Sequence, residues 1–416
     1  INSCLIPHND VTKLQKFEEI ITSVNLGNCA LFIDTIDTCF VCDVKGYEKR
    51  TIDSPKNEIV IRGSHEAFVE NLRTNTSMLR RLVNNENLII EDTSVGAVSK
   101  TKCAICYLKD IANNDLVNEV KHRVNNLDLD YIISSGQLEE LIKENSKNSL
   151  PEVISTERPD TAASSILEGK VVVIVNGTPI VLIAPCTFFD LLASPEDRNI
   201  NFTFANLLKV IRLIACIISV LLPGIYIAVT NFHEELIPTE LLFSIISSRQ
   251  AVPLSIELEI ILMELAFELI HEAGIRVPAP IGSTMGIVGA LVLGDAAVSA
   301  NIVSPISIII VAITGLSSFV IPNFSLEFHF RILRFVFIFL GAILGFLGIS
   351  IGIFIYFAIL SEYTSFGVSY LSPYVPVTKV YNSGYFLSPI WKREKREASL
   401  NVKRENKQNH ISMKWK

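Results

Sequence analysis

Two kinds of hydrophobic pattern divide this chain. Up to about residue 204, short apolar runs alternate with charged and turn-forming stretches, and strand-like and helical periods are both present. Residues 31–50, LFIDTIDTCFVCDVKGYEKR, read as two short strands with a turn at Lys45-Gly46. The stretch 64–83 reads as a helix, with Ser64 as N-cap, Glu66 in its first turn, and Phe68, Leu72, Leu79 and Leu82 at helical spacing. A strand at 103–111, a helix at 114–127, a strand at 131–134 and a helix at 137–145 follow. Residues 146–165 have the composition of a polar linker and set an expected subdomain boundary at 150/151. Beyond it, 170–175 and 179–183 flank Asn176-Gly177, a strong two-residue hairpin signal.

From 205 onward the pattern is set by missing charges. A helix needs about 20 apolar residues to cross a hydrocarbon core. Residues 213–232 carry no charge, 277–326 carry only Asp295, and 335–361 carry none. These runs predict four spans, at about 208–230, 279–299, 302–321 and 335–360. Pro223-Gly224 is expected to kink the first. Between the first two spans, 236–274 reads as an amphipathic or re-entrant segment. Glu257, Glu264, Glu268 and Glu272 form one face, and Leu258, Ile261, Leu262, Leu265 and Leu269 the other. The expected fold class is therefore mixed. A cytosolic α/β (or α+β) N-terminal domain of two small subdomains, 1–150 and 151–204, precedes an α-helical multi-span membrane domain at 205–362 and a basic cytosolic tail at 363–416.

Charge sharpens this division. Residues 1–204 hold 20 Lys/Arg against 29 Asp/Glu, 205–362 hold 6 against 11, and 363–416 hold 10 against 3. A basic tail favours the cytoplasmic side, and four spans would put the N-terminal domain there as well. The polar N-terminus carries no signal-peptide pattern. Two CxxC pairs, Cys39/Cys42 and Cys103/Cys106, raise the question of zinc, but both fall in strand-like stretches. Residues three apart on a strand point to opposite faces, so neither pair can close on one metal. They read as small core residues.

No phosphate loop, dinucleotide fingerprint, zinc-hydrolase helix or nucleophile elbow is present, so the chain reads as no enzyme, with no cofactor and no nucleic-acid partner. Gly341, Gly345, Gly348 and Gly352 lie on one helix face and suit close helix packing in lipid, within one subunit or between subunits. Gly282, Gly286, Ala290, Gly294 and Ala297 form a second small-residue stripe. Asp295 lies either at a hairpin turn near the headgroups or on a cation path with Gly286, Ala290 and Gly294. The glutamate face is either paired, with Arg249 and Arg276 as partners, or a cation-attracting vestibule.

Several long stretches resemble the A-subunit family of bacterial spore germinant receptors. They include RGSHEAFVENLRTNTSMLRRLV at 62–83, ERPD at 157–160 and LEGKVVVIVNGTPIVLIAPCTFFDLLASPED at 167–197. HEELIPTELLFSI at 233–245, EAGIRVPAPIG at 272–282 and IVGALVLGDAAVSANIVSP at 287–305 continue the likeness in the family's order. The resemblance implies a multi-pass protein of the endospore inner membrane, assembled with itself as a pentamer. It also implies a transporter-like B subunit that binds the nutrient and a lipoprotein C subunit. The implied outcome is release of monovalent cations and exit from dormancy. A nutrient-gated cation channel is the first expectation. A non-conducting scaffold, an accessory sporulation-stage channel paralogue and, more remotely, a carrier are the alternatives.

Overall fold

The computed structural model describes residues 11–25, 29–34, 37–42, 54–145, 148–276, 294–377 and 384–407. The chain divides into two compact units: Ile1–Asn206 together with Glu362–Lys416, and Leu207–Ser361.

The first unit starts with a small sheet. Strands β1 (Val11–Leu14), β2 (Cys29–Leu31) and β3 (Cys39–Cys42) pair antiparallel in the order β1-β3-β2, with helix α1 (Phe17–Asn25) between β1 and β2. Of the strand pair expected in 31–50, β3 is present as the strand before the turn, but it pairs with β1 and β2; the expected turn at Lys45-Gly46 and the strand after it lie outside the described residues. The main sheet has five antiparallel strands in the order β4-β5-β7-β8-β6: β4 (Leu88–Val95), β5 (Thr101–Leu108), β6 (Ile154–Thr156), β7 (Val171–Val175) and β8 (Val181–Ala184). The Asn176-Gly177 hairpin forms as expected, with Val171 opposite Ala184 and Gly177 at φ +96°. Helices α2 (Leu72–Leu82) and α5 (Pro159–Glu168) cover one face, where Leu79, Ala162 and Ile166 pack with Cys106, Val172 and Ile174. Helices α3 (Asn114–Asn125) and α4 (Ser135–Ile142) cover the other, where Val120 and Leu138 pack with Cys103, Ile105 and Val173. Cys103 and Cys106 thus belong to opposite cores, as strand geometry requires.

Four expectations need correction. Strands from both sides of residue 150 share one sheet, so no subdomain boundary falls at 150/151. The polar stretch 146–165 is not a linker: it supplies β6 and most of α5, whose first turn opens on Pro159. Helix α2 starts after Asn71, which accepts from the Arg73 and Thr74 amides, because the Ser64 hydroxyl is spent on the Glu66 amide in a local turn. Residues 131–134 are irregular; Ile132 is buried, but its carbonyl accepts from the Thr101 hydroxyl at 2.5 Å rather than joining a ladder. Strand β4 went unexpected.

Nor is 363–416 a free tail. Phe366 enters the α3/α4 core, and Val368, Leu400 and Val402 enter the α2/α5 core. Buried Arg396 ties the segment down, donating to the carbonyls of Leu167 at 2.7 Å, Arg404 at 3.0 Å and Asn406 at 3.1 Å. Tyr363 donates to Glu152 at 2.7 Å, and Glu152 is fully buried, also accepting from the Glu144 and Asn145 amides. The short helix α6 (Phe188–Leu191) carries Asp190, 2.6 Å from buried Lys170.

The second unit is helical: α7 (Phe202–Phe232, entering from the first unit), α8 (Thr239–Arg249), α9 (Ile256–Arg276), a helical stretch at 294–299, α10 (Pro305–Ser318) and α11 (Phe324–Glu362). Helices α7 and α11 are long and apolar enough to cross a membrane. Pro223 sits within the continuous α7. The expected single span at 335–360 is corrected, because Gly345 takes φ +60° and ψ −141°, outside helical space, and α11 folds back on itself there. His329 Nε2 lies 3.1 Å from the Tyr356 hydroxyl, a pair about 40 Å apart along a straight helix of that spacing. Residues 324–344 and 346–362 are therefore two antiparallel arms. Most of the expected 279–299 span lies outside the described residues.

Candidate functional site

The order of contacts along each helix fixes directions within the helical unit. The first arm of α11 runs parallel to α7: Arg334 Nε donates to the Ser219 carbonyl at 2.7 Å, Gly341 meets Gly224, and Gly345 meets Phe232. A Cβ at Gly341 would lie 2.5 Å from the Gly224 carbonyl oxygen, and one at Gly224 2.6 Å from that of Phe337. Backbone touches backbone here, which only glycine permits. Gly348 and Gly352 instead face Leu340, and Gly352 also Phe337, of the opposing arm. All four glycines of the stripe are thus met by side chains or backbone of their own chain.

Helix α9 runs antiparallel to the first arm, and between them lies a ladder of buried charge. Glu264 and Arg334, both almost fully buried, pair at 2.6 Å. Arg331 reaches Glu268 at 3.4 Å, touches Glu327 one turn back on its own helix, and lies 2.9 Å from His271 Nε2. Toward the other end, buried Glu259 pairs with Arg249 at 3.4 Å and accepts from the Ser304 amide, where α10 begins. Buried ion pairs need such partners, since an isolated charge in a low-dielectric interior costs several kcal/mol, on the order of 3–5 when one partner is removed. The ladder is nevertheless incomplete: Glu264 Oε1, Glu268 Oε1, Arg331 Nε and Arg334 Nη2 are buried without a hydrogen-bond partner among the described residues.

The outward surface is apolar. On α9 the face opposite the ladder exposes Leu258, Leu262, Leu265 and Leu269, the last by 73%. On α11, Ile343, Leu347, Phe354 and Phe357 are exposed, while Arg331, Arg334 and His329 are buried. Large apolar side chains outside and paired charges inside invert the arrangement of a soluble protein.

The expected glutamate face is resolved residue by residue. Glu272 pairs with Arg276 at 2.5 Å, as anticipated, on an exposed turn. Arg249, the other expected partner, takes Glu259 instead, a residue outside the candidate set. Glu257 accepts from the Asn231 amide, and Glu264 and Glu268 turn inward to arginines more than sixty positions downstream. Among the described residues of this chain, the four carboxylates therefore do not face one common opening. Asp295 is exposed on the helical stretch 294–299 and a Cβ at Gly294 would meet nothing within 4 Å; Gly286 and Ala290 lie outside the described residues.

A sheet-based unit joined to a helical unit with apolar flanks and an internal charge ladder defines an integral membrane protein with a soluble α/β part. The chain belongs to the Bacillus/Clostridium GerA spore germination protein family, whose model matches residues 1–399. It is 40% identical over 396 residues to spore germination protein KA of Bacillus subtilis, covering 95% of this chain and 73% of that one. Spore germination protein A1 of the same organism is 37% identical over 88% of this chain and 76% of its own length. The uncharacterized membrane protein YfkQ is 37% identical over 90% and 73%. Among solved structures, the N-terminal domain of the A subunit of the Bacillus megaterium germinant receptor GerK3 matches at 31% identity, over 43% of this chain and 64% of that one, with a TM-score of 0.33.

Proposed function

We propose that this protein is the A subunit of a spore germinant receptor: an oligomeric, nutrient-gated cation channel of the endospore inner membrane, acting with a nutrient-binding B subunit and a lipoprotein C subunit. The observation that carries the membrane part is the inverted surface of the helical unit, with leucines and phenylalanines outward and Glu264–Arg334 inside.

Connectivity adds a topology. Both ends of the helical unit return to the same soluble unit, so the number of crossings is even. Going from that side, α7 runs outward and α9 back; because Ser304 lies against Glu259 and α10 runs in the direction of α9, the chain has to pass outward once more before α10 runs back, and the arms of α11 then run outward and back, six passages in all. The soluble unit and both termini then share the cytosolic face, as a basic tail favours. In this reading α9 crosses the membrane rather than lying on it. Its 21 residues reach about 31 Å, enough for the hydrocarbon core.

Nutrient bound by the partner shifts a closed–open equilibrium to the extent that its affinity differs between the two states. The test is potassium efflux from liposomes holding this protein with its B and C subunits, with and without an amino-acid mixture. Triggered efflux that disappears when this chain is omitted supports the channel. Nutrient binding without efflux, in correctly inserted complexes, favours the scaffold. If Asp295 lines the path, Asp295→Asn lowers cation selectivity in single-channel recordings. Unchanged selectivity removes Asp295 from the path.

A further inference from the structure

We infer that the charge ladder between α9 and the first arm of α11 is a two-register switch, in which the arm moves one helical turn along α9 and exchanges its ion-pair partners. This rests on the membrane reading of the helical unit and extends it to how the unit changes state.

In the register observed, Arg334 holds Glu264 and Arg331 holds Glu268. The acidic positions of α9 recur one turn apart, at 264, 268 and 272, with Arg276 one turn further. Because the helices are antiparallel, moving the arm one turn, about 5.4 Å, toward the C-terminus of α9 brings Arg334 to Glu268 and Arg331 to Glu272. The same movement carries Glu327 to Arg276. Glu327 now leans on Arg331, and among the described residues Arg276 pairs only with Glu272, on an exposed turn of α9, an interaction of small worth. Both arginines are therefore partnered in either register; the one group the shifted register leaves without its cation is buried Glu264, which would take a proton there rather than keep a bare charge in a low-dielectric interior. A helix pair with one acidic site per arginine would lack this second position.

Three further observations fit a movable arm. The present register leaves one polar atom unpaired on each of Glu264, Glu268, Arg331 and Arg334, among the described residues, so it is not the uniquely satisfied arrangement. The arm ends at Gly345, whose φ of +60° breaks the helix and leaves a pivot. All the moving cations sit on that one arm, and every anion they exchange sits on α9, so a rigid displacement suffices. One-turn ratchets of packed helices are a known form of bistable switching.

The test uses the full chain in membranes and requires neither nutrient nor conduction. Ile260 and Ile338 belong to the same buried cluster in the observed register, so an I260C/I338C pair reports it by oxidative cross-linking within the chain. In that background E264Q removes a partner used only in the observed register, and E272Q one used only in the shifted register. The expected result is a several-fold fall in cross-linking yield with E264Q, and recovery of the yield in E264Q/E272Q. A yield that E264Q leaves unchanged, or that E272Q fails to restore, overturns the switch and leaves the ladder as static packing. If the cycle is obeyed yet liposomes show no efflux, the switch stands and the channel reading falls.

Discussion

Glu264 and Arg334 are where a single atom pair decides most. Each is almost fully buried and each neutralises the other, so removing one strands a charge. Arg334→Met is expected to cost about 3–5 kcal/mol and to lower the yield of folded protein in detergent. Arg334→Met with Glu264→Leu is expected to recover most of that. A double variant no better than the single would mean the pair is not coupled. In the soluble unit, burial and the neighbouring Asp190 carboxylate push Glu397 up to about 7. A raised carboxyl pKa means the folded state binds the proton more tightly than the unfolded chain. The resulting stabilisation is whole below the unfolded pKa, near 4.5, and is lost as pH rises through about 7. The protection of the 390–407 amides against hydrogen exchange, taken relative to the intrinsic rate at each pH, should therefore fall between pH 5 and pH 8, and Glu397→Gln should flatten that change. A tail whose protection is the same at both pH values would refute it.

Helices and strands were legible wherever the signal was local. Asn176-Gly177 announced its hairpin because only a few residue types tolerate such turns, and Cys103/Cys106 were placed on opposite faces by strand parity alone. Strand β4 and β6 were missed, since their residues carry enough charge and polarity to resemble loop. The start of α2 was misplaced because two side chains, Ser64 and Asn71, offer the same capping chemistry and tertiary packing chose the second. Gly345 was visible as a member of a stripe, but not as a break, because a glycine within an apolar run packs and bends equally well. The close approach of Gly341 to Gly224 is the element-scale consequence of that stripe. Gly341→Ala would force a methyl to within 2.5 Å of a carbonyl oxygen. It should destabilise the α7–α11 contact by about 1–3 kcal/mol, read as a lower thermal midpoint in detergent; an unchanged midpoint would mean the helices are not in backbone contact.

For the whole molecule, the sequence pointed to a soluble part and a membrane part but not to how the chain threads between them. The acidic face of α9 resembled a surface-lying helix because its counter-charges, Arg331 and Arg334, are more than sixty residues away and within a run read as the flank of another span. The burial of 366–402 in the soluble cores was equally hidden, since scattered apolar residues in a basic tail carry no period. In the proposed topology, the passage of α9 and the fold-back of α11 at Gly345 raise the four expected crossings to six. The difference is sharpest at 322, which four crossings would put on the outer face and six put on the cytosolic one. The deciding measurement is thiol labelling of intact cells producing the full chain, with a membrane-impermeant reagent, comparing Pro322→Cys with Gln250→Cys. Six crossings predict that Gln250→Cys is labelled from outside and Pro322→Cys only after the membrane is opened. Labelling of both from outside would contradict the account.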